Sequence, residues 1–252
     1  MAALGRFWQH GRAVERVGYI VAIALLASGL IHAGVLLASG GSWDGPLSLR
    51  KAATFGLSFG LTLLTIVWVT SWLRVGDRTR TLLLGAFIVA CVLETFLVSM
   101  QAWRGVPSHF NLETPFDAMV ARTLAGGGAA LIAIIVSFAL VSFRENPDVP
   151  PSLRVAIRIG FVALVASLAI GGLMIATGMR LVLAGRPQAA YATAGALKPT
   201  HAVLMHGILL LPALAWLLSF VDWSESRRVL VVAAASVVYV IGAAIVAIAN
   251  VL

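Results

Sequence analysis

Long apolar runs alternate with short polar segments along the whole chain. About 20 apolar residues cross the hydrocarbon core of a bilayer as a helix, and only helices satisfy the backbone polar groups of such runs within lipid. The pattern therefore predicts an all-α fold: a polytopic membrane protein built as a seven-transmembrane-helix bundle. The predicted spans are residues 17–39, 52–73, 81–103, 118–143, 154–180, 201–221 and 228–251.

The composition agrees with this pattern and argues against a soluble domain. Of the 252 residues, 60% are hydrophobic and 11% are charged, whereas a soluble domain carries about 25% charged residues. The sequence contains no internal repeat and no low-complexity tail, so residues 1–252 are predicted to form a single transmembrane domain. The one cysteine, Cys91, lies inside a span, which excludes an intramolecular disulfide and a thiolate metal cluster.

The basic residues predict the orientation of the chain. Of the 18 Lys and Arg residues, eleven lie in the N-terminal tail and around the loops after the second, fourth and sixth spans, and seven lie on the opposite side. Because cytoplasmic loops carry the excess of Lys and Arg, the N-terminus is predicted to be cytoplasmic and the C-terminus to lie outside. Arg outnumbers Lys 16 to 2, which is typical of a GC-rich bacterial genome and indicates a bacterial plasma membrane. The net charge of +8 is scattered between spans, which argues against a nucleic-acid partner.

Few ionisable residues lie at membrane depth, and most of them fall in the predicted outer half. Glu94 lies nine residues from the outer end of its span, about 13 Å at the rise of a helix. His32 and His206 lie on different spans at a matched depth of roughly 8–10 Å. Because an ionisable group is costly in the bilayer, all three are candidate functional residues.

A polar face on the second span suggests a cavity. Lys51, Thr54, Ser58, Thr62 and Thr65 are spaced by 3, 4, 4 and 3 residues, so they share one side of a helix. Hydroxyl groups in this arrangement also serve as contacts between helices, and that alternative stays open. If the face lines a cavity that opens outward, its entrance would carry Arg50, Lys51, Arg104, His109, Arg122, Lys198 and His201.

The first functional hypothesis is a b-type haem held between helices, with His32 and His206 as axial ligands. Its anionic propionates would then be bound at the entrance by basic side chains. Such a site would support electron transfer, with a quinol or another lipidic molecule as the partner, or redox sensing. The candidate propionate ligands are Arg50, Lys51, Arg104 and Arg122.

The second hypothesis is a transition-metal site made by His32, His206 and Glu94, with His109 or His201 joining from the loops. Two imidazoles and one carboxylate with open positions suit non-haem iron or catalytic zinc. In this hypothesis Glu94 acts as the third ligand or as a catalytic proton relay, and the protein would be a membrane enzyme for a lipidic substrate.

The third hypothesis is a proton-coupled transporter or binding protein for an anionic or amphipathic molecule. The basic entrance would attract the anion, and Glu94 would carry the coupling proton. Transporters commonly have broken helices near the membrane midplane, and the Gly126–Gly128 and Gly171–Gly172 segments are candidate breaks. The lack of an internal repeat argues against this hypothesis.

The segment after the third span is a candidate for bringing polar groups to the entrance. It runs from Gln101 to Asn111, and Pro107 and Ser108 predict a turn within it. That turn would bring Arg104, His109 and Asn111 to the cavity together. The alternative is a plain connecting loop anchored at the interface by its aromatic residues.

Overall fold

The computed structural model describes residues 11–45, 47–193 and 197–250. Within these ranges the chain is helical and contains no strand, and seven of the helices are long and apolar enough to cross a membrane. The predicted all-α, seven-helix fold is therefore confirmed. The helices are α1 (Ala13–Ser39), α2 (Arg50–Thr70), α3 (Asp77–Trp103), α4 (Pro115–Ser142), α5 (Pro151–Leu183), α6 (Pro187–Thr193), α7 (Lys198–Leu218) and α8 (Glu225–Ala249).

The helices extend beyond several of the predicted spans. Helix α1 begins four residues earlier than residue 17, and α5 covers three more residues at each end than the predicted span 154–180. Hydrophobicity identifies the apolar part of a helix, whereas its ends are set by polar first turns and by residues such as Pro151, which suits the first position of a helix. The short helix α6 lies between two spans and was not predicted.

The chain divides into two compact units. The first contains α1, α2, α3 and the part of α4 up to Ile134, and the second contains residues 72–74, the remainder of α4 and helices α5 to α8. The single transmembrane domain remains a prediction.

Glycines bring α1 and α2 of the first unit into backbone contact. A Cβ atom on Gly29 would lie 2.5 Å from the backbone nitrogen of Leu57, and one on Gly56 would lie 2.6 Å from the nitrogen of Gly29. Gly60 faces α1 in the same way, and a Cβ atom on it would lie 2.8 Å from the backbone nitrogen of Leu26. Gly56 and Gly60 form the GxxxG spacing that allows close helix pairing in membranes.

The hydroxyl groups at both ends of the polar face on α2 bond to their own helix. Thr54 Oγ1 donates to the carbonyl of Lys51 at 3.1 Å, and Thr65 Oγ1 donates to the carbonyl of Leu61 at 2.8 Å. Thr65 is also buried. At these two positions the face therefore has a local structural role.

A network of charged side chains lies at the end of the first unit where α3 begins. Arg80 and Glu15 are 1% and 4% exposed, and Arg80 Nη1 lies 3.6 Å from Glu15 Oε1 and donates to the carbonyl of Thr70 at 2.6 Å. Arg12 bonds to Glu15 at 3.2 Å and to Asp77 at 2.8 Å. Glu15 is thus a buried acid like Glu94, and Arg12 and Arg80 pair with acids at this end of the unit.

In the second unit, α5, α7 and α8 pack through small residues and polar bonds. A Cβ on Gly160 of α5 would lie 2.9 Å from the Cα of Ile208, and one on Gly207 would lie 3.0 Å from the Tyr239 ring. The Tyr239 hydroxyl donates to the carbonyl of Val203. These contacts fix the axial position of α7, which carries His201 and His206.

Candidate functional site

The connection between α3 and α4 is held by a carboxylate at the start of α4. Asp117 Oδ1 accepts hydrogen bonds from Arg104 at 2.6 Å and from Gln101 Nε2 at 2.9 Å. Asp117 Oδ2 accepts from Thr114 Oγ1 at 2.7 Å, and Thr114 in turn accepts from the Asp117 backbone N–H at 3.1 Å. Gln101, Arg104, Thr114 and Asp117 are called the Asp117 network below.

This network changes the interpretation of Arg104. Sequence analysis predicted it as an anchor for an anion, and in the structure its guanidinium is paired with Asp117 and lies 4.8 Å from the centre of the Phe116 ring. The partner carboxylate was missed, although a Thr followed by Asp three residues later is a known signal for a helix start. The main role of Arg104 is therefore to stabilise the α3–α4 connection through its ion pair with Asp117.

The turn within the connection depends on buried residues. Phe110 has a φ of 65°, a backbone conformation that is uncommon for residues other than glycine. The residue is 6% exposed, and the burial of its side chain stabilises this conformation. Asn111 is fully buried; its Oδ1 accepts from the Glu113 backbone N–H at 3.1 Å. Its Nδ2 has no hydrogen-bond partner among the described residues. The chain turns at Arg104 and Gly105, earlier than the predicted position at Pro107 and Ser108, and bends again from Ser108 to Phe110. This path places His109 against Lys51 of α2.

His109 and Lys51 are in direct contact. Lys51 Nζ lies 3.2 Å from His109 Nδ1, and Ser108 Oγ lies 3.1 Å from the same nitrogen. Because an ammonium can only donate, Nδ1 accepts this bond and the imidazole proton resides on Nε2. Burial and the Lys51 charge hold the pKa of His109 well below its usual range, so the ring is neutral at physiological pH.

Glu94 lies on α3 with its carboxyl group against α4. The residue is 4% exposed, and its Oε1 has no hydrogen-bond partner among the described residues. A Cβ on Gly127 would lie 2.4 Å from Oε1, so the absence of a side chain at Gly127 makes room for the carboxyl group. Lys51 is close enough to Glu94 to interact with it electrostatically. We call Glu94, Lys51, His109 and Gly127 the Glu94 site.

The glycine segments do not break their helices. Helix α4 continues through Gly126–Gly128, and α5 continues through Gly171–Gly172, so the predicted interruptions are wrong. Intrahelical hydrogen bonding tolerates glycine in an apolar helix. Gly127 does not interrupt α4; its missing side chain leaves space for the carboxyl group of Glu94.

His32 has both ring nitrogens in hydrogen bonds within the first unit. Nδ1 lies 2.7 Å from the carbonyl of Ser28, and Nε2 accepts from the indole Nε1 of Trp103 at 3.0 Å. Nδ1 is therefore protonated and Nε2 is not. A ligand bond from Nε2 to iron or zinc would first have to displace Trp103.

Two further candidate histidines, His201 and His206, belong to the second unit. His206 is exposed, and its Nδ1 lies 2.6 Å from the carbonyl of Ala202. His201 Nδ1 lies 2.7 Å from the carbonyl of Ser167 on α5, and the Ser167 hydroxyl donates to the carbonyl of His201 at 2.8 Å. His201 thus joins α7 to α5, a structural role that its position in the sequence did not reveal.

The predicted cofactor ligands are only partly brought together. Arg50 donates to the carbonyl of Trp43 at 2.7 Å, and Arg122 is exposed. Across the described residues, no group of three or more His, Cys, Asp or Glu side chains is placed to hold a metal ion. The predicted pair of ligands, His32 and His206, takes one residue from each unit. The haem and metal sites remain predictions.

Comparison of the chain with protein-family models, with curated proteins and with solved structures found no match. Its function is therefore inferred from the chemistry of its own residues. Among the residues predicted from sequence, Glu94, Lys51 and His109 are the ones that the structure gathers in one place.

Proposed function

We propose that the chain is a proton-coupled transporter or binding protein for an anionic or amphipathic molecule, and that the Glu94 site holds the coupling proton. One observation carries the proposal. The Glu94 carboxyl is buried, and one of its oxygens lacks a hydrogen-bond partner among the described residues, while Lys51 lies within electrostatic reach. An ionisable group at membrane depth is costly, and such groups commonly mark proton pathways.

The charges of the Glu94 site supply a mechanism of coupling. His109 is neutral, so the net charge depends on Lys51 and Glu94. When Glu94 is ionised it compensates the Lys51 ammonium, and the site is neutral. When Glu94 is protonated, the Lys51 ammonium no longer has the negative charge of Glu94 beside it, and its attraction for an anion increases. Proton and anion therefore bind together and leave together.

The protein would work in a bacterial plasma membrane, with the α3–α4 connection on the outer side. This orientation follows the distribution of Lys and Arg along the sequence. The anion would then approach from outside, past the exposed Arg122 and the paired Arg104.

A haem or other redox role, with a quinol as partner, has less support. Both ring nitrogens of His32 are already hydrogen-bonded, and a haem iron would have to compete with the indole of Trp103. A Soret band in the purified protein that disappears in both His32→Ala and His206→Ala would favour the redox role over proton coupling.

Infrared difference spectroscopy across a pH step tests the proton site directly. In the purified protein we expect a carbonyl band from a protonated buried carboxyl group that disappears at alkaline pH. Glu94→Gln should abolish the band, whereas Glu145→Gln, which changes an exposed acid in the α4–α5 connection, should leave it intact. A band of equal size in Glu94→Gln would refute the assignment.

Binding of a fluorescent alkyl phosphonate, an amphipathic anion, tests the coupling. In vesicles of neutral lipid we expect tighter binding at acidic pH. Glu94→Gln should bind equally at both pH values, because its neutral side chain imitates the protonated acid. Lys51→Gln should bind weakly at both. Identical pH dependence in the original chain and in Glu94→Gln would contradict the mechanism.

A further inference from the structure

A shallow depression in the second unit is lined by arginines. It lies where the short segment 72–74 meets the α4–α5 connection and the first turn of α5. Its basic lining residues are Arg74, Arg144 and Arg154. The three guanidinium groups repel one another, and an anion bound in the depression would reduce that repulsion.

The two halves of the depression are held together by side chain to backbone bonds. Asn146 Nδ2 donates to the carbonyl of Trp72 at 2.9 Å, and Asn146 Oδ1 accepts from the Asp148 backbone N–H at 3.3 Å. Arg158 donates to the carbonyls of Ser142 and Phe143 at 3.0 and 3.2 Å, which fixes the end of α4. The depression is thus formed by the fold and does not depend on a ligand for its shape.

Several hydrogen-bond donors of residues that line the depression take no part in these bonds. Arg74 pairs with Asp148 at 3.1 Å. The side chains of Arg144 and Arg154 have neither an ion pair nor a hydrogen bond to any described residue. The buried indole Nε1 of Trp72 likewise has no partner among these residues. Trp72, Arg144 and Arg154 thus line the same depression, and their side-chain N–H groups have no acceptor among the described residues.

We propose that this depression, which we call the arginine pocket (Trp72, Arg74, Arg144, Asn146 and Arg154), binds a phosphate group. A phosphate supplies several acceptor oxygens and one or two negative charges, which match planar guanidinium donors. The favoured source is the headgroup of an anionic phospholipid, because basic pockets near the ends of membrane helices bind such headgroups. Free phosphate has the same chemistry, and the experiment distinguishes the two sources.

The test uses the purified full-length chain and two probes. Native mass spectrometry measures retention of phosphatidylglycerol against phosphatidylcholine, and calorimetry in neutral detergent measures binding of inorganic phosphate. In the double variant Arg144→Gln, Arg154→Gln we expect roughly thirtyfold weaker binding of phosphatidylglycerol, from the usual contribution of two basic residues. Arg78→Gln is the matched control, since Arg78 is exposed at the start of α3 and does not line the pocket.

The results of these measurements distinguish a phospholipid headgroup from free phosphate. Loss of phosphatidylglycerol in the double variant but not in Arg78→Gln supports a lipid site. Binding of inorganic phosphate that is lost in the double variant, without selective retention of phosphatidylglycerol, supports a site for a soluble phosphate. The proposal is overturned if neither probe binds, or if Arg78→Gln weakens binding as much as the double variant. Circular dichroism of each variant shows whether it has folded, and Arg144→Lys with Arg154→Lys should restore part of the binding.

Discussion

The indole of Trp103 donates a hydrogen bond to Nε2 of His32 across 3.0 Å, and so joins the last turn of α3 to α1. His32 is 8% exposed and Trp103 is 61% exposed, with the two ring centres 6.1 Å apart. His32 therefore acts as a hydrogen-bond acceptor that fastens two helices of the first unit.

Replacing Trp103 with Phe should weaken this connection. The aromatic ring is kept and the N–H donor is lost, so we expect a loss of about 1 kcal/mol in the free energy of unfolding, typical of one hydrogen bond between membrane helices. Unfolding in increasing amounts of a denaturing detergent measures the change. Trp43→Phe is the control, because Trp43 is also exposed and its indole N–H bonds to none of the described residues. Equal stability of the two variants would contradict the role of the bond.

Replacing Gly127 with Ala should disturb the Glu94 site without unfolding the chain. The new Cβ would lie 2.4 Å from Glu94 Oε1, and the flexible carboxyl group would have to move. We expect a shifted carboxyl band in the infrared experiment and weaker pH dependence of anion binding. At Gly126 the space beside a new Cβ is open, so Gly126→Ala should leave the band unchanged and raise helix stability by about 1 kcal/mol. A band that moves equally in both variants would count against the contact.

Replacing Gly56 with Ala should separate α1 from α2. Its Cβ would meet backbone atoms of Gly29 at 2.6 and 2.7 Å, which cannot move without shifting a whole helix. We expect destabilisation of about 2–3 kcal/mol, the upper range for overpacking. Gly34→Ala, on α1 with open space around the added atom, should be close to neutral. Detergent unfolding compares the two, and similar midpoints would disprove the close approach.

The neutral state of His109 predicts that acid destabilises the first unit. Its pKa is lowered in the folded chain from the usual 6.5, so below that pH the unfolded chain binds a proton that the folded chain does not. Stability is then complete above about pH 6.5 and falls as the pH drops, by up to about 1.4 kcal/mol per unit until the folded pKa is reached. His109→Gln should flatten this slope between pH 7.5 and 5. An unchanged slope would show that other groups cause it.

The seven long helices were predictable because each has an apolar length sufficient to cross a membrane. Residues 81–103 coincide with most of α3 (Asp77–Trp103), for example. The position of Glu94, nine residues before the end of α3 at Trp103, also followed from the sequence pattern. What could not be predicted was the pairing between helices, because periodicity shows which face is polar and does not show which helix will cover it. Trp103 as partner of His32, Asp117 as partner of Arg104, and Gly127 beside Glu94 all depend on such pairing.

The backbone contact of Gly29 with Gly56 leaves no space in which α1 and α2 could slide past each other. The two helices therefore form one closely packed pair. Lys51 lies in the first turn of α2, whereas Glu94 belongs to α3. A movement of this helix pair away from α3 would therefore carry the Lys51 ammonium away from the Glu94 carboxyl group.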